Sequence, residues 1–370
     1  MTETVIRIKP MRAPNLKLSI LSLVVTEDCN FNCSYCKQKK TDSYLTVPEI
    51  TRFLDFCSPY LDRHMTDVVF YGGEPLLAKE QIRAAVSYLD RKSTLDGSTF
   101  RYTITTNGSL LDDDFIQLMA DHRFILYLSF DGPAQDQLRQ GDSYGALRRW
   151  IDHLKDYPTI DFALNSVITP ARSHELTGIV EQYLEADIPK FRIALDMTVP
   201  WSQPQLDRLE SSYHQVRDLL GDHFKKTGKN PFLNIQAPPQ QTIFCCDGGR
   251  DRLALAPGPE VWGCHRVWGF FTGDRGAADA ANLSFGSLDA CTRSFAAIHR
   301  DTIKHYDILR HDYARTPSTD CIHCPEVGEC GICPFTASAH DRRLGRIPEW
   351  VCALLKLQRR QRRLFQEENL

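Results

Sequence analysis

Cysteine is the residue type that carries chemistry in this sequence. Cys29, Cys33 and Cys36 are spaced C-x3-C-x2-C. A second run, Cys321, Cys324, Cys330 and Cys333, is spaced C-x2-C-x5-C-x2-C, and Cys352 follows after eighteen intervening residues. Cys245, Cys246 and Cys264 stand upstream of that run. The start, Met1-Thr2-Glu3-Thr4, has no charged-then-apolar export signal, so the chain reads as cytoplasmic. In a reducing compartment, 13 cysteines with nine crowded into 241–370 read as metal ligands and not as disulfides. Three thiolates at the first spacing can wrap one corner of an iron–sulfur cubane, which usually takes four. One iron would then stay open to bind something besides protein. A zinc knuckle with a distant fourth ligand, or three unrelated buried cysteines, fits that spacing too. The two C-x2-C pairs can likewise make one four-thiolate zinc site. Eight cysteines in the second region suit two clusters better than one zinc. Cys57, on the apolar face of a helix, and Cys291, without partners in sequence, read as structural.

The elements that must position these thiols follow from hydrophobic period. Strand-like runs lie at 18–26, 67–71, 100–106, 124–130, 160–168 and 190–197. Helical patterns lie between them near 47–62, 79–91, 111–122, 143–156 and 172–186. Val47, Ile50, Phe53, Leu54, Cys57 and Leu61 recur at spacings of three and four, giving helix 47–62 one apolar face. Six strands alternating with helices predict an α/β fold with a parallel sheet, curved as a partial (β/α)6 TIM barrel. Such a barrel places its site at the C-terminal ends of the strands. Residues 1–200 make this first unit. Residues 201–240, proline-rich around one polar helix at about 203–226, form a bridge. Residues 241–370 form a Cys-rich unit held by metal more than by an apolar core. The basic stretch Arg359, Arg360, Arg362 and Arg363 reads as a solvated helix face or, alternatively, as a docking surface. With 44 Lys+Arg against 47 Asp+Glu, the net charge of −3 excludes nucleic-acid binding through bulk positive charge. No apolar run approaches the ~18 residues of a membrane span.

The strand ends gather polar and glycine-rich groups. The second strand ends in Gly72-Gly73-Glu74-Pro75, the third in Thr106-Asn107-Gly108 and the fourth in Ser129-Phe130-Asp131-Gly132; the fifth carries Asn165. Each alone is ordinary turn chemistry. Their common position at one end of the sheet is not. With C-x3-C-x-aromatic-C ahead of G-G-E-P, the sequence resembles a radical S-adenosylmethionine (SAM) enzyme over nearly its whole length. The resemblance implies that Cys29, Cys33 and Cys36 hold a [4Fe–4S] cluster whose open iron takes SAM. It implies that Tyr35 packs near adenine and that Gly72, Gly73 and Glu74 receive the SAM amino group. Ser129 and Asp131 match ribose contacts, and Arg139 matches a carboxylate contact. Asn107 and Asn165 join the SAM-binding set by position.

The second region resembles the SPASM domain of peptide-modifying radical SAM enzymes, which carries two auxiliary [4Fe–4S] clusters. Mapping by order assigns Cys321, Cys324, Cys330 and Cys352 to the distal cluster. Cys246, Cys264 and Cys333 go to the proximal one, with Cys245 as a fourth ligand. Two departures stand out. The last pair of the four-cysteine run is separated by two residues where the family usually has three. Cys245 and Cys246 are adjacent, and neighbouring side chains point apart in extended backbone, so a three-ligand proximal cluster with an open iron is the alternative.

The reaction implied is hydrogen abstraction from a peptide or protein by a 5′-deoxyadenosyl radical. The leading reading is a maturase of a ribosomal peptide that forms a C–C or C–heteroatom crosslink. A sulfatase-type maturase oxidising Cys or Ser to formylglycine is the rival. A non-catalytic zinc-binding scaffold is the rival from another class. Asp196, at the end of the sixth strand, is the candidate general base. The electron donor is expected to be a flavodoxin or ferredoxin. Only 28 residues precede Cys29, too few for a winged-helix leader-binding domain, which leaves leader recognition to a separate protein, another surface, or no leader.

Overall fold

Six strands form where apolar and polar residues alternate in the first 200 residues. They are β1 (Ile20–Thr26), β2 (Thr66–Gly72), β3 (Phe100–Thr106), β4 (Ile125–Ser129), β5 (Asp161–Ile168) and β6 (Phe191–Leu195). Each pairs in parallel with its sequence neighbour. The structure is a computed structural model and describes residues 16–236, 246–272, 278–314, 321, 323–330 and 332–369. Helices Val47–Cys57, Lys79–Asp96, Asp113–Asp121, Ser143–Leu154 and Leu176–Glu185 connect the strands, which gives the α/β arrangement of a partial barrel.

Local chemistry sets the helix limits. Thr46 and Glu49 form a reciprocal capping box at the start of helix Val47–Cys57. That helix stops short of the predicted residue 62. Pro59 has no N–H to continue it, and Ser58–Tyr60 tightens into a 3-10 turn. The helix predicted over 172–186 begins at Leu176, after a 3-10 stretch, Pro170–Glu175, whose backbone breaks from helical angles at Arg172 (φ −108°, ψ 19°). Helix Lys79–Asp96 outruns its predicted end at 91 and closes on Gly97, whose φ of 73° is a left-handed cap.

The strand alternation separates two faces. Val68, Phe70, Tyr102 and Ile104 are buried, with Phe70, Tyr102 and Phe124 stacked at centroid distances of 5.2–6.3 Å. Val69, Tyr71, Thr103 and Thr105 lie on the opposite face and line an interior cavity. A parallel sheet normally buries both faces; here the curved inner face stays partly open, and that opening is where a site can sit.

The sheet continues past β1. β7 (Arg252–Ala256) pairs in parallel with β1, and β8 (Glu260–Trp262) and β9 (Ser284–Ser287) follow antiparallel, in the order β6-β5-β4-β3-β2-β1-β7-β8-β9. The hydrogen-bonded sheet therefore crosses the expected 240/241 division. Cys246 precedes β7 and Cys264 follows β8. The bridging helix, Gln203–Thr227, packs against the C-terminal helix Glu349–Asn369, and Arg217 Nη1 donates to Gln361 Oε1 at 2.8 Å. The basic stretch on that last helix is only half a solvated face: Arg360 is exposed, and Arg359 and Arg362 are not. Arg359 and Arg362 are 6% and 5% exposed and pair with Glu326 and Glu329 at 2.6 and 3.0 Å. Their partners lie more than thirty residues upstream, out of reach of helical periodicity. Among the described residues, no helix is long and apolar enough to cross a membrane.

Candidate functional site

The first cysteine loop leaves β1 and is pinned to the ends of three further strands. At β2, the Gly73 N–H donates to the Thr26 carbonyl (3.0 Å) and the Glu74 N–H to the Asp28 carbonyl (2.8 Å). Two glycines make this approach feasible. A Cβ on Gly72, whose φ is +153°, would meet the Thr26 oxygen at 2.2 Å, and one on Gly73 would meet the Asp28 oxygen at 2.1 Å. Glu74 is buried, and its carboxylate turns toward β3. It accepts from Thr106 Oγ1 (2.5 Å), the Asn107 N–H (2.7 Å) and the Leu76 N–H (2.9 Å). Burial pushes Glu74 up, and those three donors pull it back. Asn107 Nδ2 donates to Asn30 Oδ1 at 3.0 Å, which ties the loop to β3. The Asp28 carboxylate accepts from Tyr44 Oη at 2.8 Å and from the Cys29 N–H at 2.8 Å.

The loop's other end is held by a buried ion pair. Arg139 donates through Nε and Nη2 to Asp131 at 2.8 and 3.1 Å. The same carboxylate accepts from Tyr35 Oη (2.6 Å) and the Val167 N–H (2.8 Å). Both Asp131 oxygens are thus filled within the protein, and Asp131 is 1% exposed. The Arg139 guanidinium also lies 5.4 Å from the Tyr35 ring centroid. Asp131→Asn should leave Arg139 buried without its countercharge and cost about 3–5 kcal/mol. Thermal unfolding checks this: the midpoint should drop by several degrees, whereas Asp152→Asn, at an exposed pair on helix Ser143–Leu154, should leave it unmoved.

Cys29 and Cys33 are half-buried and Cys36 is exposed. Burial pushes Cys29 and Cys33 above the usual thiol range; Arg139 draws Cys33 back, and the neighbouring Cys36 adds to the rise. Three thiols on one loop, held by glycines and a buried ion pair, fit a polynuclear iron group. Ser129, buried at the end of β4, and Asn165, on β5, lie opposite one another across the sheet. Asp196 is set apart. Its Oδ1 accepts from the Thr198 N–H (2.8 Å) and Oγ1 (2.7 Å), and Asp196 is absent from the cavity lining.

The inner face of β2–β6 encloses a cavity of about 520 Å3. Lys37 and Gln38, next to Cys36, form one side; His265, Arg266, Phe335 and Arg342 form the other. Arg266, Met197, Phe335 and Thr336 also line a second cavity of about 350 Å3, bordered by Cys246, Cys264 and Cys333. Burial pushes Cys246 up to about 12, with Cys333 and Cys264 adding to it. Cys352 is raised by burial and further by Cys330 and Cys324. The later cysteines thus fall into two neighbourhoods, 246/264/333 and 324/330/352, and Cys321 is half-buried beside the second run. Cys245 lies outside the described residues. Among the described residues, Cys246, Cys264 and Cys333 line one cavity together. Cys57 and Cys291 are 0% and 1% exposed and sit in the core.

Residue patterns alone missed several cavity groups. Arg192 is the one charged side chain within the strand Phe-Arg-Ile-Ala-Leu, and that misfit was the available signal. His265 and Arg266 directly follow Cys264. His265 Nδ1 lies 2.9 Å from Ser22 Oγ, and burial, with Arg266 and Arg252, holds its pKa down to about 3.

The Radical SAM superfamily profile matches residues 23–175. The chain is 21% identical over 393 aligned positions to the radical SAM cyclopropyl synthase TigE of Paramaledivibacter caminithermalis, covering 96% of this chain and 75% of that protein. It is 23% identical over 184 positions to the Cys-type anaerobic sulfatase-maturating enzyme of Clostridium perfringens, covering 46% of this chain and 49% of that enzyme. The chain thus spans about half the length of that sulfatase-maturating relative. The solved structure of native anSMEcpe with bound AdoMet and Cp18Cys peptide superimposes with a TM-score of 0.71 at 15% identity, over 95% of this chain and 99% of that one. That likeness establishes a shared fold.

Proposed function

We propose, on the premise that this chain is an enzyme carrying a radical SAM domain, that it is a maturase which joins two side chains of a ribosomal peptide. In this reading Cys29, Cys33 and Cys36 hold the SAM-binding [4Fe–4S] cluster. Cys321, Cys324, Cys330 and Cys352 hold one auxiliary cluster; Cys246, Cys264 and Cys333 hold the other. Residues 1–200 form the radical unit, 201–240 the bridge and 241–370 the auxiliary unit. When bound, the first cluster and SAM supply the electron and the 5′-deoxyadenosyl radical that removes one hydrogen atom from the peptide. A flavodoxin- or ferredoxin-type protein donates that electron.

One observation carries the reading: the larger cavity runs from the Cys36 side to the residues it shares with the Cys246/Cys264/Cys333 cavity. Joining two C–H or heteroatom–H side chains releases one hydrogen atom, one proton and one electron. The hydrogen atom leaves in 5′-deoxyadenosine, and the shared wall gives the electron a short way out toward Cys333. Glu74, Tyr35, Asp131 and Arg139 act by holding the cysteine loop, and Gly72 and Gly73 by letting it close on β2. The likeness to a cyclopropyl synthase over nearly the whole chain supports a bond-forming reaction. Formylglycine formation is the second reading, supported by the sulfatase-maturating relatives. Either reading releases one proton along with the hydrogen atom and the electron, so proton acceptance does not separate them.

The products separate the two. Reconstituted enzyme should be incubated anaerobically with SAM, reductant and short peptides encoded beside its gene, and in parallel with a sulfatase-derived Cys or Ser peptide. A peptide that loses two hydrogens and shows a new link between side chains by tandem mass spectrometry is the expected result. A hydrazide-reactive aldehyde on the sulfatase peptide, with the neighbouring peptides untouched, would replace it by the second reading.

A further inference from the structure

Among the described residues, four cations line the larger cavity, Lys37, Arg192, Arg266 and Arg342, and no Asp or Glu lines it with them. Among the described residues none of the four forms an ion pair with a carboxylate. Three have local explanations. Lys37 neighbours Cys36, and Arg266 donates to the Cys333 thiol and to Thr336 Oγ1, so both serve thiolate sets. Arg342 donates to the Phe270 carbonyl and lies over the Phe270 ring. Arg192 is left over. Its Nε donates to Asn165 Oδ1 at 2.8 Å, and its guanidinium stacks 4.2 Å from the Tyr127 ring centroid. Those contacts fix the plane of the fork. They leave Nη1 and Nη2 without a hydrogen-bond partner among the described residues.

A half-buried guanidinium held rigid and given no anion is costly to keep. Burial, reinforced by Arg266, pulls its pKa below the ordinary Arg value. The oriented pair of N–H donors matches a carboxylate bidentately, which a point charge would not do. Resting on the peptide-maturase reading above, we infer that Arg192 anchors a carboxylate of the substrate peptide. The substrate segment entering this cavity carries Asp, Glu or its own C-terminal carboxylate close to the modified residue. Asn165 and Tyr127 orient the anchor, and the remaining cations bar a basic segment from the same position.

Anaerobically reconstituted enzyme would be used to select binders from a randomised short-peptide library, made once with free and once with amidated C termini. Wild type should enrich Asp and Glu over Asn and Gln at one position by roughly tenfold, the worth of a charge-assisted bidentate contact. Enrichment of free over amidated termini would instead identify the C-terminal carboxylate. Arg192→Met should lose that enrichment, and Arg192→Lys should keep part of it, both at wild-type iron content. Equal selection of acidic and amide residues, or the same preference in Arg192→Met, overturns the inference and leaves the maturase reading standing. If Arg192→Met weakens SAM, measured by half-maximal SAM cleavage without peptide, more than it weakens the acidic preference, the carboxylate held is that of SAM and the inference falls. If wild type cleaves SAM yet enriches no peptide of any kind, the peptide reading fails and takes this one with it.

Discussion

Alanine at Gly73 should reduce SAM cleavage by at least about 100-fold while the chain still folds; a displacement of about 1 Å in a positioned group costs that much. A methyl group there would sit 2.1 Å from the Asp28 carbonyl oxygen and 3.0 Å from Cys29 Cβ. Neither neighbour is the flexible end of a side chain. The clash can be relieved only by lifting the loop off β2, which breaks the Gly73-to-Thr26 and Glu74-to-Asp28 hydrogen bonds. Cys29 is the next residue along, so its thiol moves with the loop. The core beneath, built on Phe70, Tyr102 and Phe124, is untouched. Gly178→Ala is the control. It lies in helix Leu176–Glu185 with nothing within 4 Å of the added methyl, and alanine there should stabilise the helix by up to about 1 kcal/mol. Anaerobic 5′-deoxyadenosine formation, with circular dichroism on the same samples, checks both. Full activity in Gly73→Ala would mean that the loop does not need its contact with β2.

The second large effect is the triple change Cys29→Ala/Cys33→Ala/Cys36→Ala. It should abolish SAM cleavage and remove about four irons of about twelve per chain, one cubane of three. The remaining thiols lie in other neighbourhoods, around Cys246, Cys264 and Cys333 and around Cys324, Cys330 and Cys352. They should keep their iron, since Arg266 beside Cys333 and Arg359 beside Cys330 do not depend on the first loop. Iron analysis and visible absorbance after anaerobic reconstitution read the outcome. About four irons in the wild type, with zinc retained, would make the C-terminal cysteines a structural zinc site and leave the crosslinking reaction without its electron acceptor. Retained SAM cleavage in the triple variant would overturn the assignment of the first loop.

Much of the scaffold was legible in residue patterns. The run Phe100–Thr106 is a strand at its predicted limits, β2 is longer than predicted by one residue at each end, and β5 is shorter by one at its start. Strand alternation and helical spacing depend on residues two to four apart, so they survive without knowledge of the fold. The departures were local as well. Pro59 ends one helix by removing an N–H where periodicity alone ran on, and the non-helical backbone at Arg172 delays the start of another. Asp196, one residue beyond β6, turns its Oδ1 to the Thr198 N–H and Oγ1, a local contact that strand position does not reveal. Arg359 and Arg362 read as solvated from helical period alone, and the distant Glu326 and Glu329 bury and pair with them.

The sequence by itself determined what is close in the chain. Three thiols within eight residues must share one loop, and Gly72-Gly73-Glu74-Pro75 ends the next strand whatever the rest does. Those constraints are covalent, and no packing can undo them. Only the tertiary structure decided what meets from afar. β7 pairs with β1 across more than two hundred residues and brings Cys246 and Cys264 to the edge of the barrel sheet. Asp131 accepts from Tyr35, Arg139 and the Val167 N–H, groups that lie up to 96 residues away in the chain. Arg192 becomes a cavity group because β5 lies beside β6 in a register that sets it opposite Asn165. Such pairings depend on the sum of contacts over the whole molecule, a quantity that no local period contains.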